Sequence, residues 1–234
     1  MRYELYYWGG IQGRGEFVRL ALEEAGVPYT DVARRDEAAM LRLLKEKDLK
    51  TPSFAPPFLR AGKLLIGQTA TILLYLGDHH GLAPRSEAGR LWAHQLQLTV
   101  ADLVAEVHDT HHPISGGLYY EDQKPEAAKR SKAFREERLP KYFTYFGSVL
   151  AHRATGWLTG ARVSYADLSL FQVVAGLRYA FPGAMRRLEP RYSELTTLHD
   201  RVAARPRVAS YLKSPRRLPF STEGIFRHYP ELDV

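Results

Sequence analysis

Ala55-Pro56-Pro57-Phe58-Leu59, followed eight residues later by Gly67-Gln68-Thr69, is the stretch on which the fold turns. Two prolines stand directly before a short apolar run. Arg60-Ala61-Gly62-Lys63 then reads as a turn into a second apolar run, Leu64-Leu65-Ile66. The pattern predicts strand, tight turn, strand, and a helix opening near Gln68. X-Pro bonds are where cis peptides occur, and proline is tolerated at the first residue of a strand; Pro57 is expected to be cis. A strand led in this way presents bare backbone groups. A helix start just downstream offers N–H groups and a positive dipole end to a carboxylate. Together they suit a peptide-like anion, although Gln68 and Thr69 alone also read as an ordinary polar helix start.

Outward from this hairpin, residues 2–8 read as a strand and Glu16–Ala25 as a helix stopped by Gly26. Residues 28–32 read as a second strand and residues 36–46 as a charged helix. The order β-α-β-α-β-β-α predicts parallel pairing closed by an antiparallel hairpin. After Gly81-Leu82-Ala83-Pro84 nothing reads as strand. Trp92, Leu96, Val100, Leu103 and Val107 recur at helical spacing. Pro125 is placed to open a helix that runs to about Arg153 with a kink at Pro140. Further helices are expected near 166–180, 191–204 and 207–213, with an irregular tail from Pro215. The expected organisation is an α/β domain over residues 1–79, a linker over 80–89 and an all-α domain over 90–234.

The chain has 234 residues, a formal net charge of +7 and no cysteine. That length can bury a full core. The missing cysteines exclude structural disulfides, thioredoxin-type redox pairs and a cysteine nucleophile. Any sulfur chemistry must therefore use sulfur brought by the substrate. Lysine and arginine are dispersed without a long basic run, so small anions are better partners than nucleic acid. The N-terminal residues read as a strand rather than a secretion segment, and no apolar run is long enough to span a membrane. A cytoplasmic protein is expected.

Several residue types carry possible chemistry. On a strand, Tyr3, Leu5 and Tyr7 share one face while Tyr6 and Trp8 share the other. Tyr7, beside a glycine-rich loop, reads either as a core aromatic or as a hydroxyl aimed into a cleft. Asp102 reads by itself as an exposed helix acid. His108 and His112 stand at i, i+4 on one helix face, a zinc-ligand spacing that lacks a third partner, so no metal is expected. Ser164-Tyr165-Ala166-Asp167 is a capping box.

Three motifs at mutually consistent spacing, namely Tyr7-Trp8 with Gly13-Arg14, Pro57 with Gln68-Thr69, and Ser164 with Asp167, make the chain resemble cytosolic glutathione transferases of the tyrosine type (mu, pi and sigma kinds). The resemblance covers nearly the whole chain. It implies a thioredoxin-like first domain and an all-helical second domain. It also implies that Tyr7 donates a hydrogen bond to the sulfur of glutathione, the co-substrate. Because the loop after Trp8 is one residue longer than is usual in that family, Tyr6 remains an alternative.

The same resemblance puts Gln68 and Thr69 at the γ-glutamyl carboxylate and Pro56 and Pro57 beside the cysteinyl backbone. Trp8 falls at the pocket wall, Arg14 either near the γ-glutamyl end or in a structural role, and Lys45 either at the glycyl carboxylate or on a solvated charged helix, while Asp102 reaches the γ-glutamyl ammonium from the second subunit of a homodimer. His108, His112 and Tyr119, with Tyr120 alongside, fall at the wall for a hydrophobic electrophile, where a proton-donating role for His112 is one expectation. Ser164 and Asp167 serve folding. Pro56 departs from the pattern, because proline has no N–H to offer the tripeptide. The implied reaction is conjugation of the glutathione thiolate to hydrophobic electrophiles. Glutathione-dependent isomerisation or peroxide reduction, and a non-catalytic ligand carrier on the same fold, are the alternatives.

Overall fold

The computed structural model describes residues 2–234. Its first unit is a four-stranded sheet in the order β2-β1-β3-β4, formed by β1 (Tyr3–Tyr6), β2 (Tyr29–Asp31), β3 (Phe58–Ala61) and β4 (Leu64–Gly67). β1 pairs parallel with β2 and antiparallel with β3, in a register that sets Leu5 opposite Leu59 and Tyr6 opposite Phe58. The hairpin turn is shorter than the sequence suggests. β3 continues through Ala61, which pairs with Leu64. Gly62, at φ 62°, supplies the left-handed first position that a two-residue turn needs. The peptide bond between Pro56 and Pro57 is cis.

Alternation along β1 divides two apolar clusters. Tyr3 and Leu5 enter the main core with Phe17, Val18 and Leu20 of α1 (Gly15–Ala25) and Ile72 and Leu76 of α3 (Thr69–His80). Tyr6 enters a smaller cluster with Met40 and Leu43 of α2 (Glu37–Leu44) and Phe58. Helices therefore cover both faces of the sheet. α1 and α3 both stop on a left-handed glycine, Gly26 at φ 67° and Gly81 at φ 70°.

The helical unit begins with α4 (Glu87–Asp109), capped by Ser86, whose Oγ accepts from the Gly89 N–H at 3.2 Å. α5 (Lys124–Ala133) and α6 (Leu139–Ala151) are joined by one wide turn of π pitch, Phe134–Arg138, instead of a simple kink at Pro140. The Leu139 N–H reaches back to the Phe134 carbonyl. Pro140 has no N–H for the carbonyl four residues before it, and its ring would strike that carbonyl; the wider turn relieves both.

α7 (Tyr165–Ala180) runs through the centre of this unit and packs against α4, α1 and α9 (Ser193–Ala203). At its start the buried Asp167 carboxylate accepts the Ser164 N–H at 2.7 Å, the Ser164 hydroxyl at 2.6 Å and the Leu158 N–H at 2.8 Å. α8 (Pro182–Leu188) has no counterpart in the sequence reading, and α10 (Pro206–Leu212) precedes the tail. The tail from Pro215 is irregular except for a short turn at Pro230–Leu232. Among the described residues no helix is long and apolar enough to cross a membrane.

Candidate active site

The loop Gly9–Arg14 joins β1 to α1 and lies directly on Tyr7. A Cβ placed on Gly13 would sit 2.0 Å from the Tyr7 hydroxyl oxygen, and one on Gly15 would sit 2.5 Å from the ring. Only glycine permits that approach. It lets the Arg14 backbone N–H donate to the phenolic oxygen at 2.9 Å. Among the described residues this is the one hydrogen bond of the Tyr7 hydroxyl, and the oxygen accepts it, so the phenolic proton is uncommitted within the chain. Burial pushes the Tyr7 hydroxyl above its ordinary range near 10, against the pull of the Arg14 N–H and the charges of Arg14 and Arg19. At neutral pH Tyr7 is a hydrogen-bond donor and not a base. Tyr6 faces away: its ring stacks on Phe58 with centroids 4.9 Å apart, and its hydroxyl donates to Glu4 at 2.8 Å.

Arg14 also lines a cavity of about 260 Å³ with Gln68 and Thr69 at the start of α3 and His94, Gln97 and Ala101 of α4. Gln68, at φ 64°, is the one non-glycine among the described residues with positive φ. Such backbone costs of order 1–3 kcal/mol and is retained where the surroundings enforce it, often at ligand sites. Three buried polar atoms around this cavity have no hydrogen-bond partner among the described residues: Thr69 Oγ1, His94 Nδ1 and Gln97 Oε1. The Thr69 hydroxyl is a donor at a helix start and Gln97 Oε1 an acceptor, a pair of types that suits a zwitterionic amino-acid head group. Sequence reasoning missed His94 and Gln97. The available signal was a polar residue inside the buried stripe Ala93, Leu96, Gln97, Val100.

The other expected site residues are more dispersed. Trp8 is 38% exposed on the rim of the glycine loop, and Lys45 is exposed at the end of α2. Neither lines the cavity. Asp102 is exposed on α4 next to Ala101. Tyr119 is 79% exposed on the loop after α4. Tyr120 has a packing role: its ring stacks on Tyr229 at 3.8 Å and its hydroxyl donates to Glu231.

His108, His111 and His112 form one stack at the end of α4. The rings of His108 and His112 are 5.0 Å apart at 22°, and His111 sits edge-on to both. His111 Nε2 meets the Ile225 carbonyl at 2.8 Å, so that nitrogen carries its proton and Nδ1 accepts from His112 Nδ1–H. In that tautomer neutral His112 carries its proton on Nδ1 and leaves Nε2 as an acceptor. Among the described residues no group of three or more His, Cys, Asp and Glu is placed to hold a metal ion.

Burial lowers His108 to about 4 and His111 to about 3; the charges of His112, Arg14 and Arg227 add to the effect on His108. Both folded-state values lie below the ordinary 6.5, so the unfolded chain binds more protons on acidification. This stabilisation is full above pH 6.5 and is lost as pH falls toward 4 and 3. From pH 6.5 to 5, above most carboxylate titrations, His111 is expected to cost about 2 kcal/mol of stability. Urea unfolding of the parent and His111→Gln at these two pH values checks this: the variant's loss should be smaller than the parent's by about 2 kcal/mol, with His108 keeping its own share.

Residues 108–215 match the family model described as glutathione S-transferase, C-terminal domain. Glutathione S-transferase A3 of Mus musculus is 28% identical over 220 residues, covering 92% of this chain and 91% of the relative. Glutathione S-transferase P 1 of Xenopus laevis is 28% identical over 215 residues, covering 88% and 90%. Over most of its length the chain is similar to glutathione S-transferases. The fold is the same as that of the pi-class glutathione S-transferase of Onchocerca volvulus, which superposes with a TM-score of 0.70 at 23% identity, covering 91% of this chain and 93% of that one. The chain shares that fold's two parts, a thioredoxin-like α/β unit carrying Tyr7, Gln68 and Thr69, and a helical unit carrying the histidine stack.

Proposed function

We propose that this protein binds glutathione between the prolyl hairpin, the start of α3 and the Gly9–Gly15 turn, and that Tyr7 activates its thiol for attack on hydrophobic electrophiles. The observation that carries the reading is the Tyr7 hydroxyl, which accepts from the Arg14 N–H at 2.9 Å and keeps its own proton free for a ligand. A free thiol has a pKa near 8.5, so only a few per cent is thiolate at neutral pH. One hydrogen bond to the charged sulfur stabilises it by about 1.5–3 kcal/mol, which lowers that pKa by roughly one to two units. The thiol proton passes to water, and the thiolate forms a sulfur–carbon bond at an electrophilic carbon held against His108, His112 and Tyr119 as that carbon's leaving group departs with the bonding electron pair.

In this reading Thr69 and the N–H groups at the start of α3 take the γ-glutamyl carboxylate, while Gln97 Oε1 is an acceptor for the ammonium. Pro56 offers the cysteinyl unit only a carbonyl. Trp8 and Lys45 flank the tripeptide from the rim. The reading divides the chain into a glutathione-binding unit over 1–79, a linker over 80–89 and an electrophile-binding unit over 90–234. It takes the protein as a cytoplasmic homodimer. Leu91, Leu98 and Asp102 are exposed on α4 at seven- and four-residue spacing, which is one helix side. On that side Asp102 can reach the partner's γ-glutamyl ammonium.

Calorimetric titration with glutathione tests binding directly. Asp102→Ala is expected to raise the dissociation constant roughly tenfold, the equivalent of one charge-assisted hydrogen bond. An unchanged constant removes Asp102 from the site. The missing Pro56 N–H is the feature that favours a ligand carrier; no heat on glutathione addition to the parent protein decides for the carrier.

A further inference from the structure

The geometry points to Gln12 as a positioning residue that locks the Gly9–Arg14 turn to the helical unit and so holds the Arg14 N–H on the Tyr7 hydroxyl. This rests on the reading of Tyr7 given above. The turn contains Gly9, Gly10 and Gly13, so its own backbone is conformationally loose. Gln12, between Ile11 and Gly13, is 5% exposed, and both ends of its amide are engaged outside the first unit. Its Nε2 donates to the Leu218 carbonyl at 2.5 Å, and its Oε1 accepts from Gln172 Nε2 at 2.8 Å.

Gln172 lies fully buried on α7. Its own Oε1 accepts from Arg217 at 2.9 Å. Arg217 and the Tyr211 hydroxyl in turn donate to the fully buried Glu16 in the first turn of α1. The Gln12 carbonyl accepts from the Glu16 N–H at 3.0 Å and from Arg19 at 3.2 Å. The residue two places before Arg14 is thus held at its backbone by α1 and at its side chain by α7 and the tail.

Hydrogen bonds weaken steeply as their angle and length degrade. A donor into the phenolic oxygen also polarises its O–H, strengthening the bond passed on by roughly 10–30%. Releasing Gln12 lets the Arg14 N–H drift from Tyr7 and weakens the bond to the sulfur, while the γ-glutamyl and cysteinyl contacts remain.

The experiment is a pH titration of the thiolate absorbance of bound glutathione in four proteins: parent, Gln12→Ala, Tyr7→Phe and the double variant. Binding of S-methylglutathione, which has no thiol proton, is measured beside it. Gln12→Ala is expected to raise the bound thiol pKa by about half a unit, which is about a threefold loss of thiolate at pH 6.5. S-methylglutathione affinity should stay within about twofold. In the Tyr7→Phe background Gln12→Ala should add no further shift.

If Gln12→Ala does not fold, Gln172→Met releases the same amide from the far side and should give a shift of the same sign. An unchanged pKa in the foldable variant, or an equal shift with and without Tyr7, overturns the assignment of Gln12 while leaving Tyr7 in place. A Tyr7→Phe protein with an unshifted thiol overturns the Tyr7 reading and the Gln12 role with it.

Discussion

Tyr7→Phe is expected to raise the pKa of bound glutathione by roughly one to two units and to slow conjugation at pH 6.5 by roughly 10- to 100-fold. The substitution removes one oxygen and keeps the ring. The packing of Tyr7 under Gly13 and Gly15 therefore survives, and the effect reports the hydroxyl alone. The Arg14 N–H loses its acceptor, which is a stability cost distinct from the chemical one. Two measurements separate them: the thiol titration reads the sulfur, and thermal unfolding reads the fold. Because burial holds Tyr7 protonated, the rate deficit should shrink as pH rises past the free-thiol value, where glutathione ionises without help. A variant with parental rate and parental thiol pKa removes Tyr7 from the mechanism.

Asp167→Ala is expected to cost roughly 3–5 kcal/mol of folding stability, a large share of the total for an ordinary domain. The carboxylate is fully buried and satisfies two backbone N–H groups and one hydroxyl. Alanine leaves the Leu158 and Ser164 N–H groups stranded at the start of α7, which packs against α4, α9 and α1. Burial pushes this carboxyl upward, and the donors from Leu158 and Ser164 oppose the shift. Asp167→Asn keeps one acceptor oxygen and should fall between. Guanidinium unfolding measures the loss. The thiol pKa of the folded fraction should stay at the parental value, because no Asp167 contact touches the glycine turn. A loss below about 1 kcal/mol would reduce the box to an ordinary helix start.

Much of the fold was legible from nearest-neighbour chemistry. Gly26 ends α1, and Asp167 reaches back three residues to Ser164. The alternation of Tyr3, Leu5 and Tyr6 across β1 is a two-residue period and survived as a split between two clusters. What failed had partners far along the chain. α8 is capped by the Asp233 carboxylate, which accepts the Gly183 and Ala184 N–H groups at 2.5 and 2.9 Å from 50 and 49 residues away. No local pattern announces such a cap. Tyr7, Gln68 and Thr69 could be singled out as candidates because strand ends and helix starts have short signatures. Gln97 and His94 were missed because a polar side chain on a buried stripe has meaning only once the cavity it borders exists.

The amino-acid sequence alone determined the order of the strands and of every long helix, the prolyl hairpin, the capping box and the absence of any thiol, since each depends on residues within a few positions or on composition. Tertiary structure alone decided which tyrosine lies under the glycine turn, which atoms around the cavity stay unpaired, and how the tail closes on α1. Glu16, Glu23 and Glu24 of that helix pair with Arg217, Arg216 and Arg205, and Gln12 reaches Leu218 across 206 residues. The reason is that a buried polar group must find a partner wherever packing brings one. That partner's distance along the chain leaves no period or spacing to read.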